Sequence, residues 1–313
     1  MLRRTVLAAG FALGVALSAQ AAEGPKVVAT FSILGDLVKN VGGDRIELTT
    51  LVGANGDAHV YAPSPADAKA LSEAKVVFTN GLKFEGWIDR LVKASGTKAK
   101  VVEAAKAVTP RPSDEEEHGH DHHGHDHGHD HEHEHEHEGL DPHAWQSVAN
   151  ARLYVTAIRD GLIAADAEGR ATYEANASAY LARLDALDAE IKAAIAKIPE
   201  ADRRIITSHD AFGYFAEAYH VEFIAPQGIS TEAEASARDV AALVRQIRAE
   251  KAKAVFVENI SDARLIEQIS RETGVSVGGT LYSDALSDAD GPAGTYIDMI
   301  RHNIKALSTA LSS

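Results

Sequence analysis

No cysteine occurs among the 313 residues. That excludes a disulfide framework, a thiolate metal site and a thiol nucleophile, so any metal here must be held by imidazole, carboxylate or water. A lipid-bearing cysteine behind an export leader is excluded by the same absence. Positive charge is also scarce, with 31 Lys and Arg against 46 Asp and Glu and a formal net charge of −15. Such a surface repels nucleic acid and anionic lipid and attracts cations. Long apolar runs are missing beyond the first twenty residues, so no segment approaches the ~20 apolar residues that a membrane-spanning helix needs. No HExxH helix is present, which removes the commonest catalytic zinc arrangement.

What remains is an ordinary globular composition, 45% hydrophobic and 25% charged, long enough for two medium cores. The first residues stand apart. Arg3 and Arg4 form a basic start, Thr5 to Leu17 is a short apolar stretch, and Ala19-Gln20-Ala21 is a small-x-small cleavage site. Residues 1–21 therefore read as a cleaved signal peptide. The expected product is a soluble, monomeric protein of a Gram-negative periplasm, with no membrane-embedded part.

The acidity is local. Without Arg3 and Arg4 the charge becomes −17, and twelve of those charges lie between Asp114 and Asp141, where no Lys or Arg occurs; the rest of the chain carries only −5. From His118 to His137 the sequence holds 11 His, 6 acids and 3 Gly, with nothing apolar to bury. Residues 114–139 are expected to be a disordered loop, because burial cannot offset the entropy of ordering them.

On either side of that tract, strand and helix patterns alternate. Strands are expected at Lys26–Phe31, Ile46–Val52, Ala74–Thr79 and Lys100–Val102, and again at Arg204–Thr207, Glu222–Ala225, Ala254–Glu258 and Val275–Leu281. Helices fall between them. The longest runs from about Arg170 to Ile198, its apolar stripe Tyr173, Ala177, Tyr180, Leu184, Leu187, Ile191, Ile195 and Ile198 recurring every three or four residues. At ~1.5 Å per residue it would reach roughly 43 Å, longer than a small domain is wide. The fold class is therefore α/β: two lobes, each a small mostly parallel sheet flanked by helices, joined by one long spine helix. The N-terminal lobe is expected over residues 22–168, the spine over 169–198 and the C-terminal lobe over 199–313.

Eleven of the sixteen histidines lie in the acidic tract, and five stand alone: His59, His143, His209, His220 and His302. His59 follows a strand in Gly56-Asp57-Ala58-His59, and His143 precedes a helix in Asp141-Pro142-His143-Ala144-Trp145. His209 sits between strand and helix in Thr207-Ser208-His209-Asp210. These are the strand edges where α/β folds place ligands. A single such histidine reads as a cap or surface residue, but three at equivalent places beside a polyhistidine tract read as a metal site. Zinc accepts about four N, S or O ligands in a tetrahedron. Without cysteine the fourth should be a carboxylate, and Asp284, just past the last strand, is in the right place; water is the alternative. His220 and His302 fall on helical segments and read as structural or surface residues. A ligating imidazole needs its other N–H held. Glu258 at a strand end is the candidate partner, its alternative role being a plain surface carboxylate. Asp141 either holds an imidazole or shapes the turn before Pro142.

At this point the chain resembles the zinc- and manganese-binding solute-binding proteins of ABC importers. The likeness is carried by GDAHVYAPSPAD (residues 56–67), DPHAW (141–145), TSHDAFGYFAEAY (207–219), GISTEAEAS (228–236), FVE (256–258) and LYSDALS (281–287). The resemblance implies two lobes joined by one long helix with metal in the cleft, bound by His59, His143, His209 and Asp284. It implies no enzyme activity: the metal, Zn²⁺, is cargo handed to a membrane permease, with a periplasmic zinc metallochaperone as a further partner. In this family the third position is typically Glu in manganese members and His in zinc members, and here it is His209. Some zinc members carry Glu before the first histidine where this chain has Ala58, which throws more weight on Asp284. The tract His118, His120, His122, His123, His125, His127, His129, His131, His133, His135 and His137 is similar to that of zinc members and is expected to collect metal weakly. A zinc enzyme, a zinc buffer that never docks and a manganese importer are the alternative readings.

Overall fold

The structure is a computed structural model that describes residues 24–113, 139–233, 235–250 and 252–311. The leader and the tract from His118 to His137 lie outside the described residues. Near-continuous apolar runs form the central strands, as burial on both faces of a parallel sheet requires. In the first half, β1 (Lys26–Phe31) and β3 (Val76–Thr79) are the buried centre, flanked by β2 (Glu47–Val52) and β4 (Lys100–Glu103). All pairings are parallel, in the order β2-β1-β3-β4. In the second half β5 (Arg204–Ile206), β6 (Glu222–Ile224), β7 (Ala254–Glu258) and β8 (Ser276–Leu281) repeat that order as β6-β5-β7-β8. The repeat that the residue pattern hides is plain in the topology. In each sheet the connections that follow the two central strands leave in opposite directions, which opens a crevice at the carboxyl ends of the strands.

The helices are α1 (Ser32–Gly42), α2 (Pro65–Glu73), α3 (Ile88–Ser95), α4 (Val148–Ala165), α5 (Arg170–Ile195), α6 (Gly213–Tyr219), α7 (Ala237–Glu250), α8 (Ala263–Thr273) and α9 (Tyr296–Leu311). The start of α2 shows local chemistry deciding a boundary. Ser64 Oγ accepts the backbone N–H of Asp67 while Asp67 reaches back to the N–H of Ser64, a capping box with Pro65 at the first helical position. Gly161 of α4 has no room for a side chain, since a Cβ there would lie 2.8 Å from the Phe78 ring of β3. The helix seats directly on the sheet.

The spine is α5, and its stripe from Tyr173 to Ile195 is buried as the periodicity predicts. It ends earlier than expected, at Ile195 and not Ile198. Pro199 disfavours helical geometry in the residue before it, and Lys197 and Ile198 instead make tight i→i+3 bonds to Ala194 and Ile195. Ile198 stays buried all the same. The 26 residues span ~39 Å. At its start, Arg45 grips Asp166 with two hydrogen bonds of 2.6 and 3.0 Å while Tyr173 donates to the same carboxylate at 2.7 Å. The spine packs against α1 and α4 of the first half and α6 and α9 of the second. One continuous core therefore runs through both halves, and a smaller one, built on Ile206, Leu243, Ile247, Val255, Ile266 and Ile269, lies under α7 and α8.

Candidate metal centre

Each candidate ligand enters the cleft from a different loop. His59 follows β2, His143 stands before the short turn leading to α4, His209 follows β5, and Asp284 follows β8. Nε2 of His59 lies 3.3 Å from Nε2 of His143 and 3.1 Å from Oδ2 of Asp284. Nε2 of His209 lies 3.2 Å from that Oδ2, and Nε2 of His143 is 3.6 Å from Oδ1. The four ligand atoms all fall within 4.8 Å of one another. His143, His209 and Asp284 are wholly buried, and His59 is 7% exposed. Oδ1 of Asp284 accepts no hydrogen bond although it is buried. Four Lewis bases converging in a dry place need a cation or protons at the centre.

The electrostatics agree. Burial alone would lower the His143 imidazole, but the Asp284 and Asp141 carboxylates outweigh it and raise it to about 9. His209 is likewise depressed by burial and raised further by Glu258 and Asp284, ending well above the ordinary histidine value. Burial pushes Asp284 up, and the two imidazoles pull it well below the usual carboxylate range. Without metal, the centre therefore holds protons tightly.

Both expected supporting carboxylates are buried beside an imidazole. Oδ1 of Asp141 accepts the His143 backbone N–H and lies 2.9 Å from Nδ1, so this residue shapes the turn and faces the ring as well. Oε2 of Glu258 lies 2.6 Å from Nδ1 of His209, while Oε1 accepts the backbone N–H groups of Ser208 and His209 at 2.7 and 2.8 Å. Glu258 is thus no surface carboxylate. His220 and His302 are elsewhere: His220 caps α6 with φ +56°, and His302 on α9 places Nε2 3.0 Å from the Thr280 carbonyl. His220 is one residue past the helix in which its pattern placed it, because the chain turns left-handed there.

Several supporting residues were not singled out for the site in the sequence, although Trp145 lies within the DPHAW segment. Trp145 Nε1 and Gln146 Nε2 both donate to the Ser283 carbonyl, at 3.0 and 2.7 Å, tying the loop of His143 to that of Asp284 across the halves. Phe84 places its ring 4.7 Å from His59 and 5.9 Å from His143, packing an apolar face against both imidazoles. Its neighbour Glu85 is buried; its Oε1 accepts from the Thr30 hydroxyl at 2.5 Å and the Asn80 N–H at 2.7 Å. Burial raises that carboxyl to about 7. Asn80 in turn donates to the Pro142 carbonyl at 2.9 Å. A buried glutamate thus sits at the crevice of each sheet, Glu85 bridging β1 and β3 and Glu258 bridging β5 and β7. The asparagine-glycine pair after β3 is the only sign of a built turn there.

Comparison with known proteins gives the chain's family. Residues 27–310 match the family model described as ZnuA, zinc-uptake complex component A, periplasmic. The manganese-binding lipoprotein MntA of Halalkalibacterium halodurans is 34% identical over 290 residues, 93% of this chain and 89% of that protein. The iron ABC transporter substrate-binding lipoprotein MtsA of Streptococcus pyogenes is 33% identical over 292 residues, 92% of this chain and 89% of its own length. Among solved structures, the periplasmic zinc binding protein TroA of Treponema pallidum is 29% identical with a TM-score of 0.81, covering 92% of this chain and 99% of that one. The manganese-bound periplasmic metal binding protein of Candidatus Liberibacter asiaticus is 28% identical with a TM-score of 0.77, over 91% of this chain and 98% of that one. The chain therefore belongs to the ZnuA family of periplasmic metal-binding proteins, the substrate-binding components of ABC metal transporters, which deliver metal to a membrane permease and are not enzymes.

Proposed function

We propose that this protein captures zinc in the periplasm and delivers it to its ABC permease, binding one ion through His59, His143, His209 and Asp284. The observation that carries the choice of metal is the donor set at this spacing: three imidazole nitrogens and one carboxylate oxygen. A tetrahedral zinc ion with bonds of ~2.0–2.1 Å requires neighbouring donors about 3.3 Å apart. Four of the separations run from 3.1 to 3.6 Å, two of them to Oδ2 of Asp284 and one to Oδ1, and all the ligand atoms lie within 4.8 Å of one another. An imidazole at position 209 favours zinc over manganese, which prefers oxygen donors. The relatives' names include manganese and iron, so the decisive test is competition. The metal-free protein, equilibrated with equal zinc and manganese and then passed over a desalting column, is expected to retain one tightly held zinc by elemental analysis. Retention of manganese in preference would sink the assignment.

On the same reading the leader 1–21 is removed on export, lobes 22–168 and 199–313 flank the connecting segment 169–198, and the protein works as a monomer. The named relatives are lipoproteins, whereas these 313 residues hold no cysteine to carry a lipid. The histidines between His118 and His137 gather additional zinc weakly, and a periplasmic metallochaperone is a candidate source of it. No helix among the described residues is long and apolar enough to cross a membrane.

A further inference from the structure

We propose that Arg111 is a positioning residue for the metal centre, its guanidinium holding the Asp141 carboxylate in the orientation that aims His143 at the metal. The inference rests on the reading of His143 as a metal ligand given above. Arg111 and Asp141 lie side by side, because the Asp141 N–H donates to the Arg111 carbonyl at 2.9 Å beside the antiparallel bridge between Pro112 and Leu140. Nη1 of Arg111 lies 3.3 Å from Oδ2 of Asp141, and the other oxygen of that carboxylate faces His143. Asp141 is wholly buried. Oδ1 is anchored by the His143 backbone N–H, but a buried carboxylate held on that side alone leaves Oδ2 poorly compensated and its plane loosely fixed, and a guanidinium on the second oxygen removes both faults. With Oδ1 held toward Nδ1, the ring carries its proton there and presents the Nε2 lone pair to the metal.

The second half of the protein completes this arrangement. The Tyr214 hydroxyl of α6 accepts the Arg111 backbone N–H at 2.9 Å. Gly213, the first residue of that helix, is packed so closely that a Cβ would collide with Arg111 Nη1 and fall 2.5 Å from Oδ2 of Asp141. Its φ is not in the left-handed region, so the need for glycine there is one of space. Glu258, facing His209, is held differently, by the two backbone N–H groups of its own half. The orientation of His143 thus depends on a side chain clasped between the halves, while that of His209 does not. Arg111 also lines a cavity of about 430 Å³ with Asn150, Tyr214 and Glu217.

The test uses the full chain with cobalt(II) alone as the probe. Tetrahedral cobalt gives intense visible bands, whereas six-coordinate cobalt on scattered imidazoles gives pale ones, so the bands report this centre. Arg111→Met is expected to keep its circular dichroism and cooperative melting, and to bind cobalt at the tetrahedral centre about 10- to 100-fold more weakly. Its bands should shift, and the zinc-loaded variant should lose the downfield Nδ1–H proton resonance of His143. Arg111→Lys is expected to restore part of the affinity. Gly213→Ala keeps the arginine but forces the pair aside, and should shift the bands in the same direction. Wild-type affinity and unshifted bands in either Arg111→Met or Gly213→Ala overturn the proposal, and if Arg111→Met does not fold, Gly213→Ala and Arg111→Lys decide it. Absence of tetrahedral bands in the wild-type protein removes the metal site itself, and this proposal with it, a result distinct from normal bands in every variant.

Discussion

On the proposed reading, proton and metal compete for the His143 and His209 imidazoles. His143 is held at about 9 and His209 well above the ordinary histidine value, so metal must displace protons that the free protein keeps at neutral pH. Both values are raised above the unfolded ~6.5. The stabilisation they give the metal-free protein is therefore complete below that pH and is lost as pH rises through the folded values. The metal-free melting temperature should fall between about pH 6.5 and 9, while the apparent zinc affinity rises about tenfold per pH unit for each proton displaced. Titration calorimetry in buffers of different ionisation enthalpy counts those protons; a count of zero contradicts the arrangement. Removing one ligand, as in His143→Ala, should lower affinity by roughly tenfold to several hundredfold, a range whose upper end exceeds the 10- to 100-fold typical of outer partners. An unchanged titration would exclude His143 from the centre. At this scale much was legible: the three lone histidines, Asp284 and both supporting carboxylates were each marked by a strand end or a turn. Phe84, Glu85 and Arg111 were not, because a residue that acts by touching a ligand-bearing loop leaves no spacing of its own.

Elements were legible where burial imposes a period. The spine stripe and the central strands β1, β3 and β7 could be read because each must be apolar along one face or throughout. Their ends were less clear. The last turn of α5 is set by the competition between Pro199 and continued burial of Ile198, and a stripe continues through such a turn without revealing it. The short edge strands β4 and β6 carry little pattern, since one side of each sees solvent. The stripe does predict a cost. Leu187 is wholly buried in the core shared by both halves, so Leu187→Ala should destabilise the protein by about 2–5 kcal/mol through lost transfer energy and the cavity left behind. Denaturant unfolding should show a lower midpoint with an unchanged slope. A loss confined to one half, seen as two separated transitions, would mean that the core is not shared.

For the whole molecule, that shared core sets what metal release can involve. The halves are joined beneath the site by the spine, by Ser32 Oγ accepting the Leu286 N–H at 2.9 Å, and by Asp36 accepting the N–H of Tyr296 at the start of α9 at 2.9 Å. Trp145 and Gln146 brace the Asp284 loop directly. Local release at the mouth of the cleft is the route that leaves all of these links in place. The mouth is where fewer bonds hold. A cavity of about 300 Å³ reaches His59 between Phe84, Pro142 and the loop of Ile229, Ser230 and Glu232, with Gly139 and Leu140 at its rim. That loop is pinned to the His59 loop where the Thr231 hydroxyl donates to Oδ2 of Asp57 at 2.6 Å, while Oδ1 of Asp57 accepts the His59 N–H at 2.9 Å. Thr231→Val keeps the shape and removes the donor. A hydrogen bond of this kind contributes about 0.5–1.5 kcal/mol, so zinc should leave the variant roughly 2- to 12-fold faster, with its melting temperature in the metal-free state lowered by only a few degrees. Stopped-flow release into excess chelator measures the rate. If Thr231→Val releases zinc at the wild-type rate, the mouth is not the gate, and the exit must run through the braced side of the cleft.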